Sequence, residues 1–486
     1  MNTVITREEE TSSFSSDTST TSAFTGGSFD SSAVEFSPLS SGTFYSLASL
    51  APEAAPAVHP EMIQKKPGVN PWHAFAATWL GGVFDGMDSS IFAIVLYPCL
   101  CELLHTKSHV IAGQFGSYIV AMFMVGWAIG AVFFGWLADR IGRAKTLTIT
   151  ILLYALFTGL CAVVDNWWQL GLCRLLVGAG IGGEMGIGAV LLSECWPKKT
   201  RVYALSALAT SLGVGYIITD WLNIALKGDW RMLFLVGVVP AFLTVYMRLK
   251  LKDSDHFHEE QEKREKAAAK LESERTDADR LQLSNPFKAL LDKENFAKTL
   301  IVGTLTSSAI ICWWAVLAWI PAWINQITGT MAVEARSHTM LCKDLGMILS
   351  GVMGGFLISK FGYKKCMSST FVLAFIFTVG MFMSFKSYSQ WIFPCILGVG
   401  FFAHLPFVLL WSYIPELYNT RIRSTAFGVT YNMGRLWAAG AALGSGVLIS
   451  VFGGSYAMAA STVALIFLLG AAASLAMPKP TGRMIE

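Results

Sequence analysis

The sequence predicts an all-α membrane protein of twelve spanning helices in two pseudo-symmetric six-helix bundles. Three observations carry that reading: an apolar composition, twelve apolar runs of membrane-crossing length, and loop motifs that recur in the two halves. Hydrophobic residues make up 53% of the chain and charged ones 14%, with a mean hydropathy of +0.52. A soluble core cannot hide so much apolar surface, so the bilayer must act as solvent. The net charge of +3 is small, and the basic residues are spread over short loops, which argues against nucleic-acid binding. Nine cysteines are scattered, several of them inside apolar runs (Cys161, Cys173, Cys312, Cys395). They lack CxxC or Cys/His spacing, read as small core hydrophobes, and predict no metal site.

Apolar runs begin near Ala74, Phe115, Thr146, Trp168, Val202 and Met232, and a second set begins near Lys298, Leu341, Cys366, Trp391, Ser424 and Val451. Each approaches the roughly 20 residues that a hydrocarbon core of about 30 Å requires. The expected organisation is a cytoplasmic tail at 1–70, an N-terminal bundle at 71–250, a cytoplasmic linker at 251–297, a C-terminal bundle at 298–478 and a short cytoplasmic tail at 479–486. The first tail is rich in Ser, Thr, Ala and Pro, carries the run Glu8-Glu9-Glu10, and has no apolar stretch behind basic residues. It reads as disordered rather than as a signal peptide. The linker interleaves acidic and basic residues with Ala and Leu, the pattern of a solvated helix with neighbouring opposite charges.

Lys and Arg in the loops set the orientation, because basic residues are retained on the cytoplasmic side. Loops on one side hold Arg140, Arg143, Lys145, Lys198, Lys199, Arg201, Lys360, Lys364, Lys365, Arg421 and Arg423. The alternate loops hold Lys107, Lys227, Arg231, Arg336, Lys343 and Lys386. The richer side takes the linker and both termini, so a multi-pass protein of the cell inner membrane with cytoplasmic termini is expected.

The loop after the second run reads Gly135-Trp136-Leu137-Ala138-Asp139-Arg140-Ile141-Gly142-Arg143-Ala144-Lys145. The loop after the eighth reads Gly355-Phe356-Leu357-Ile358-Ser359-Lys360-Phe361-Gly362-Tyr363-Lys364-Lys365, and the two align without a gap. Glu194 to Arg201 and Glu416 to Arg423, after the fourth and tenth runs, are likewise matched in spacing. Duplication accounts for both repeats.

The first of these loops resembles the signature of the major facilitator superfamily, departing from it where Ala144 stands in the Lys place and Lys145 follows. That resemblance implies the major facilitator fold and a conformational switch built from Gly135, Asp139, Arg140, Gly142, Arg143, Glu194, Arg201, Glu416, Arg421 and Arg423. Physically, the glycines permit a tight turn and close helix approach, while Asp139 can cap a helix and pair with Arg across the two lobes. The alternative is a loop that only sets topology by its positive charge. Further elements are Phe84-Asp85-Gly86-Met87-Asp88, the stretch from Arg174 through Gly178, Gly180, Gly182 and Gly183 to Glu184, Asp229-Trp230-Arg231, and Tyr431-Asn432-Met433-Gly434-Arg435. Together they resemble sialic-acid/proton symporters and their aromatic-acid and lactate-type carboxylate relatives, over roughly residues 72–478.

An ionisable side chain at the bilayer centre costs at least ~2.5 kcal/mol on insertion scales, so each one requires a reason. Asp85 and Asp88 share a helical face at mid-depth, where a buried carboxylate can load and release a proton; helix packing is the alternative. Glu184 lies off the Gly178–Gly182–Gly186 stripe and is expected to face the cavity or a lobe partner, as a proton or gating group or in a structural pair. Arg435, with Tyr431 and Asn432 a turn away, is the first candidate to bind a substrate carboxylate, unless a carboxylate such as Asp88 neutralises it permanently. Arg174 is the second candidate, although the resemblance ties an Arg there to coupling. His404 can titrate in the working range or serve as a satisfied hydrogen-bonding residue. Among the tryptophans that crowd the seventh run, Trp319 is taken as a cavity-lining contact, with packing as the alternative.

The reading is a secondary transporter, not an enzyme, since no nucleophile–base or metal-ligand constellation appears. It is expected to take up a small organic anion (a monocarboxylate, aromatic acid or sialate-like acid) together with protons, by alternating access. Its partners are the anionic substrate, protons and the lipid bilayer, with no cofactor beyond the proton gradient and no obligatory protein partner. An exporter or antiporter is the rival of the same class, and a transporter-like membrane sensor the rival from another.

Overall fold

Asn70 and Pro71 open the first helix. The Asn70 carboxamide accepts from the Trp72 amide at 3.0 Å, while Pro71, with no amide proton to leave unpaired, takes the first helical position. In the computed structural model, which describes residues 69–480 apart from 107, 250, 317–318 and 329–332, this helix, α1, runs Pro71–Leu103. It is followed by α2 (His109–Ile141), α3 (Arg143–Val163), α4 (Trp167–Cys195), α5 (Arg201–Ala225) and α6 (Trp230–Leu249). The second half repeats the series. Its members are α7 (Lys293–Val316, continuing as Ile320–Thr328), α8 (Val333–Phe361), α9 (Tyr363–Ser384), α10 (Ile392–Leu417), α11 (Arg423–Val451) and α12 (Tyr456–Leu475). The protein is thus the all-α, twelve-span, two-bundle membrane fold that the sequence predicts. The tail at 1–68 and the last six residues lie outside the described residues.

The duplication is legible in the helix ends. Pro71 and Lys293 both open their halves, Cys195 and Leu417 both end a helix, and Arg201 and Arg423 both begin one, each pair 222 positions apart. Packing repeats as well: α2 lies along α4 and α1 along α5 in the first bundle, as α8 lies along α10 and α7 along α11 in the second. Between bundles the most extensive contacts are α2 with α11 and α5 with α8, which the pseudo-symmetry exchanges. Large apolar side chains such as Ile129, Phe133, Leu156, Phe242 and Trp437 remain exposed on the outer faces. Those faces suit lipid rather than water.

Two helices begin earlier than expected. The second starts at His109 rather than near Phe115, and the eighth at Val333 rather than near Leu341. Arg336 and Lys343 therefore lie inside α8 and not in a loop, and Lys343 is 7% exposed. The linker is also not a single helix. It comprises Asp255–Ala269, Asp277–Leu283 and Pro286–Leu291, because Lys270 leaves helical geometry at ψ 144° and Pro286 restarts it. Opposite charges do neighbour one another along the first of these, with Lys263–Glu260 at 2.8 Å and Lys266–Glu262 at 2.6 Å.

Candidate functional site

On the face of the bundle that bears the linker, the repeated loops fasten one bundle to the other. Gly142 turns the chain between α2 and α3 at φ 110°, a conformation open to glycine. That turn brings Arg143 beside Asp139 at 3.3 Å and Glu194 at 3.2 Å. Arg143 also donates to the Thr420 carbonyl at 2.8 Å, and Arg423 crosses from the other bundle to Glu194 at 2.8 Å. Asp139 accepts from the Ser424 and Thr425 amides at 3.1 and 2.7 Å and from the Thr425 hydroxyl at 2.8 Å. It thereby caps the N-terminus of α11, where first-turn amides lack partners and the helix dipole favours an anion. Gly135 permits the approach, since a Cβ there would lie 2.6 Å from the Ser424 carbonyl oxygen.

Two linker residues join this cluster, and the sequence did not single them out. The Ser254 hydroxyl donates to Glu194 at 2.5 Å, and Asp253 accepts from the Ala144 amide at 2.8 Å. Burial pushes the Asp253 carboxyl above its ordinary range, against the opposing pull of that amide and of Arg143. Phe257 lies under the Arg143 guanidinium at 4.9 Å. The second copy of the motif is built differently. Tyr363 stands 220 positions on from Arg143 and reaches Glu416 only at 3.5 Å, and Ser359, in the place of Asp139, donates to its own helix at Gly355. Arg201 donates to the Trp196 carbonyl at 3.2 Å and Arg421 to Ser284. Arg140 stacks on Trp136 at 4.5 Å.

The membrane carboxylates do not form one group. Asp88 is paired with Arg174 at 3.0 Å, both wholly buried, and accepts from the Thr158 hydroxyl at 2.6 Å. Arg174 is further enclosed by the Cys161 thiol at 3.2 Å and by the rings of Phe234 and Phe92 at 4.9 and 5.3 Å. A guanidinium held in this way inside the first bundle is not placed to grip a substrate, which corrects the expectation for Arg174. It also removes Asp88 as the partner of Arg435. Glu184 accepts from the Thr150 hydroxyl of α3 at 3.1 Å. Asp88→Asn leaves the Arg174 charge without its carboxylate, a loss of about 3–5 kcal/mol. The expected result is a fall of several degrees in the unfolding midpoint of the purified protein, largely reversed in Asp88→Asn/Arg174→Gln. A double variant no more stable than the single one would contradict the pairing.

Between the bundles a different set converges. Arg435, 5% exposed, stands roughly 18 Å from the linker-face end of α11, and Asp85 roughly 21 Å from that of α1. The Asn432 carbonyl oxygen accepts from Arg435 Nε at 2.6 Å, and the guanidinium lies over the Trp127 ring of the other bundle at 3.4 Å. With Nε taken, the edge that a carboxylate would meet is the pair of terminal nitrogens. Arg435 has no ion pair within 4 Å among the described residues. Tyr431 packs against Phe427 at 5.1 Å, and Asn432 is anchored by donating to Gly428 at 3.0 Å.

His404 is buried beside the Trp313 ring at 5.7 Å. Its Nδ1 meets the Ser350 hydroxyl at 2.7 Å, and that hydroxyl already donates to the Met347 carbonyl. Nδ1 must then carry the proton, which makes Nε2 the acceptor; it is buried and without a partner among the described residues. Trp319 is buried in the apolar core, and Trp314 faces the first bundle, 6.3 Å from Trp127. The residues missed from sequence are Trp127, Tyr216 and the pair Lys343–Asp344, while Trp314 was among the seventh-run tryptophans singled out there. The loop offset of 220 would have pointed to Lys343, since it maps that residue onto Phe123, a ring 6.5 Å from Trp314.

The sequence profile of the Major Facilitator Superfamily matches residues 78–443. The cis,cis-muconate transport protein of Acinetobacter baylyi is 28% identical over 392 residues, covering 80% of this chain and 90% of its own length. The sialic acid transporter NanX of Escherichia coli is 26% identical over 403 residues, covering 82% and 92%. Among solved structures, the proton:xylose symporter XylE has a TM-score of 0.68 at 15% identity, over 84% of this chain and 96% of its own. At that identity the likeness speaks for the fold alone.

Proposed function

This chain belongs to the Major Facilitator Superfamily, and from that premise we propose that it takes up a small organic anion together with protons, by alternating access of its two bundles. As a member it is a multi-pass membrane transporter and not an enzyme. The observation that carries the substrate reading is Arg435, a buried guanidinium at mid-depth held by an amide and a ring and not by a carboxylate. A cation so placed is costly without a counter-anion, and a substrate carboxylate supplies one. Flat, apolar walls at Trp127, Trp314 and Tyr431 suit an aromatic, unsaturated or sugar-acid body. Relatives named for muconate and sialic acid agree with that class.

Asp85, buried in the opposite bundle from Arg435, is the proposed proton carrier. The linker face is proposed to be cytoplasmic, in the inner membrane, with both termini on that side. The cluster around Glu194 then shuts the cytoplasmic path, which leaves the substrate site to the outside. In proteoliposomes with an inward acid gradient, Arg435→Gln is expected to lower accumulation of a carboxylate substrate a hundredfold or more. Asp85→Asn is expected to abolish gradient-driven accumulation while sparing exchange of labelled for unlabelled substrate. Undiminished gradient-driven accumulation in both variants would sink the proposal.

A further inference from the structure

A cavity of about 600 Å³ lies between the linker and the turn that leads into α11, a volume within the range of small-molecule sites. The linker lines it with Lys263, Lys266 and Lys270, and the second bundle with Arg421. A narrower pocket adjoins it, shares Arg421, Glu260 and Gln282, and adds Arg264 of the linker. The acids nearby are already answered. Glu260 accepts from Lys263 and Gln282 at 2.8 and 2.7 Å, Asp279 accepts from Lys270 and the Thr276 amide at 2.8 and 2.9 Å, and Glu259 lies 4.0 Å from His256. Asp139 is held by Arg143 and the first turn of α11. Arg264 and Arg421 are left over: both are half-buried, and neither has a carboxylate within 4 Å among the described residues. Arg421 gives one terminal nitrogen to Ser284, and its other nitrogens have no acceptor among the described residues. Burial pushes this guanidinium below its ordinary value, and the Arg264 charge pushes the same way, against Glu260, Asp139 and Asp292. Burial and the Arg140 charge do the same to Arg264, against Asp139.

We propose that this cavity binds a doubly charged phosphate group, held between Arg421 of the second bundle and Arg264 of the linker where the two spaces adjoin. Guanidinium forks match phosphate oxygens in pairs. A dianion answers two such groups at once, where a single carboxylate leaves one positive charge over. Lys263, Lys266 and Lys270 add donors along the same cavity. Their present partners are exposed acids, and surface pairs of that kind are worth about 0–1 kcal/mol, so a further phosphate oxygen draws the lysines away at little cost. Arg421 stands two residues before Arg423, which reaches the Glu194 latch. The occupant is therefore placed to hold the linker against the second bundle. A soluble phosphate ester and a lipid headgroup offer the same chemistry to this site.

Inorganic pyrophosphate and a short-chain phosphatidic acid probe the two sources, each titrated at fixed ionic strength into the full-length protein in a neutral detergent. Saturable binding by calorimetry is expected, together with a rise of about 3 °C or more in the unfolding midpoint that sodium chloride at equal ionic strength does not produce. Arg264→Gln/Arg421→Gln is expected to weaken binding about a hundredfold, and Arg264→Gln alone about tenfold. The single variant changes a half-exposed linker residue and decides the matter if the double variant fails to fold. Lys198→Gln/Lys199→Gln removes as much charge from the same face outside the cavity and is expected to bind as the wild type does. Binding of pyrophosphate alone assigns the site to a soluble phosphate ester, binding of phosphatidic acid alone to a lipid headgroup, and binding of both admits either source. Binding of neither overturns the proposal. So does binding that the arginine variants leave intact, or that the Lys198/Lys199 variant weakens as much as they do.

Discussion

Glu194→Ala is expected to unfasten the linker face and reduce transport at least a hundredfold. One carboxylate there serves Arg143, Arg423 and Ser254, and its side chain is fully buried. Removing it leaves two guanidinium groups facing each other without an anion between them. Breaking a buried pair costs about 3–5 kcal/mol, and because Arg423 reaches it from the second bundle, that cost falls on the state in which the bundles touch. Such a change moves an open–shut equilibrium by a factor of about 10²–10⁴. Cys195, next in sequence and half-buried, reports the event. With the other cysteines replaced, its maleimide labelling rate is expected to rise by about two orders of magnitude. Glu194→Gln, which keeps the shape and one acceptor, should label at an intermediate rate and settles the matter if the alanine variant fails to fold. Wild-type labelling and wild-type transport in both variants would remove Glu194 from the latch.

Gly130→Leu should abolish the folded protein, and Gly130→Ala should leave it severely destabilised. A Cβ at Gly130 would sit 1.9 Å from the Ala179 carbonyl oxygen, and one at Gly126 2.0 Å from that of Leu175. From the facing helix, Gly178 and Gly182 would press on the Phe123 and Trp127 carbonyl oxygens, each at 2.3 Å. Backbone meets backbone along this crossing of α2 and α4, so no side chain can turn aside and the helices must part. Overpacking alone costs about 1–3 kcal/mol, and separation also gives up the close contacts that hold membrane helices together. Yield of monodisperse protein and the thermal midpoint measure the effect. Gly440→Ala is the control, because nothing lies within 4 Å of a Cβ there and helix propensity then favours alanine by about 0.5–1 kcal/mol. Equal midpoints for Gly130→Ala and Gly440→Ala would refute the close-packing account.

The fold was legible because hydropathy and repeated loops are local signals that survive without tertiary information. The offset of 222 between Glu194 and Glu416 reappears in the helix ends, and the glycines of the repeated motif mark where the bundles touch: Gly135 on Ser424 and Gly355, 220 positions on, against Tyr203. The site was legible only in part. Arg435 announced itself as a charge inside an apolar run, but which carboxylate answers which guanidinium depends on helix rotation, and Asp88 turns to Arg174 while Asp85 does not. Lys343 escaped for a different reason. Hydropathy averages over a window, so a lysine near the start of a long helix looks like the end of a loop, and only the observed start at Val333 moves it indoors.

Asp253, Ser254 and Phe257 place the beginning of the linker within the latch itself. Parting of the bundles at Glu194 must disturb that seat, and their return restores it. In the proposed alternating access, the linker would copy the position of a buried gate onto the aqueous surface once per cycle. A ligand or antibody that pinned Phe257 beneath Arg143 would act as a brake on the whole cycle without touching the path of the substrate.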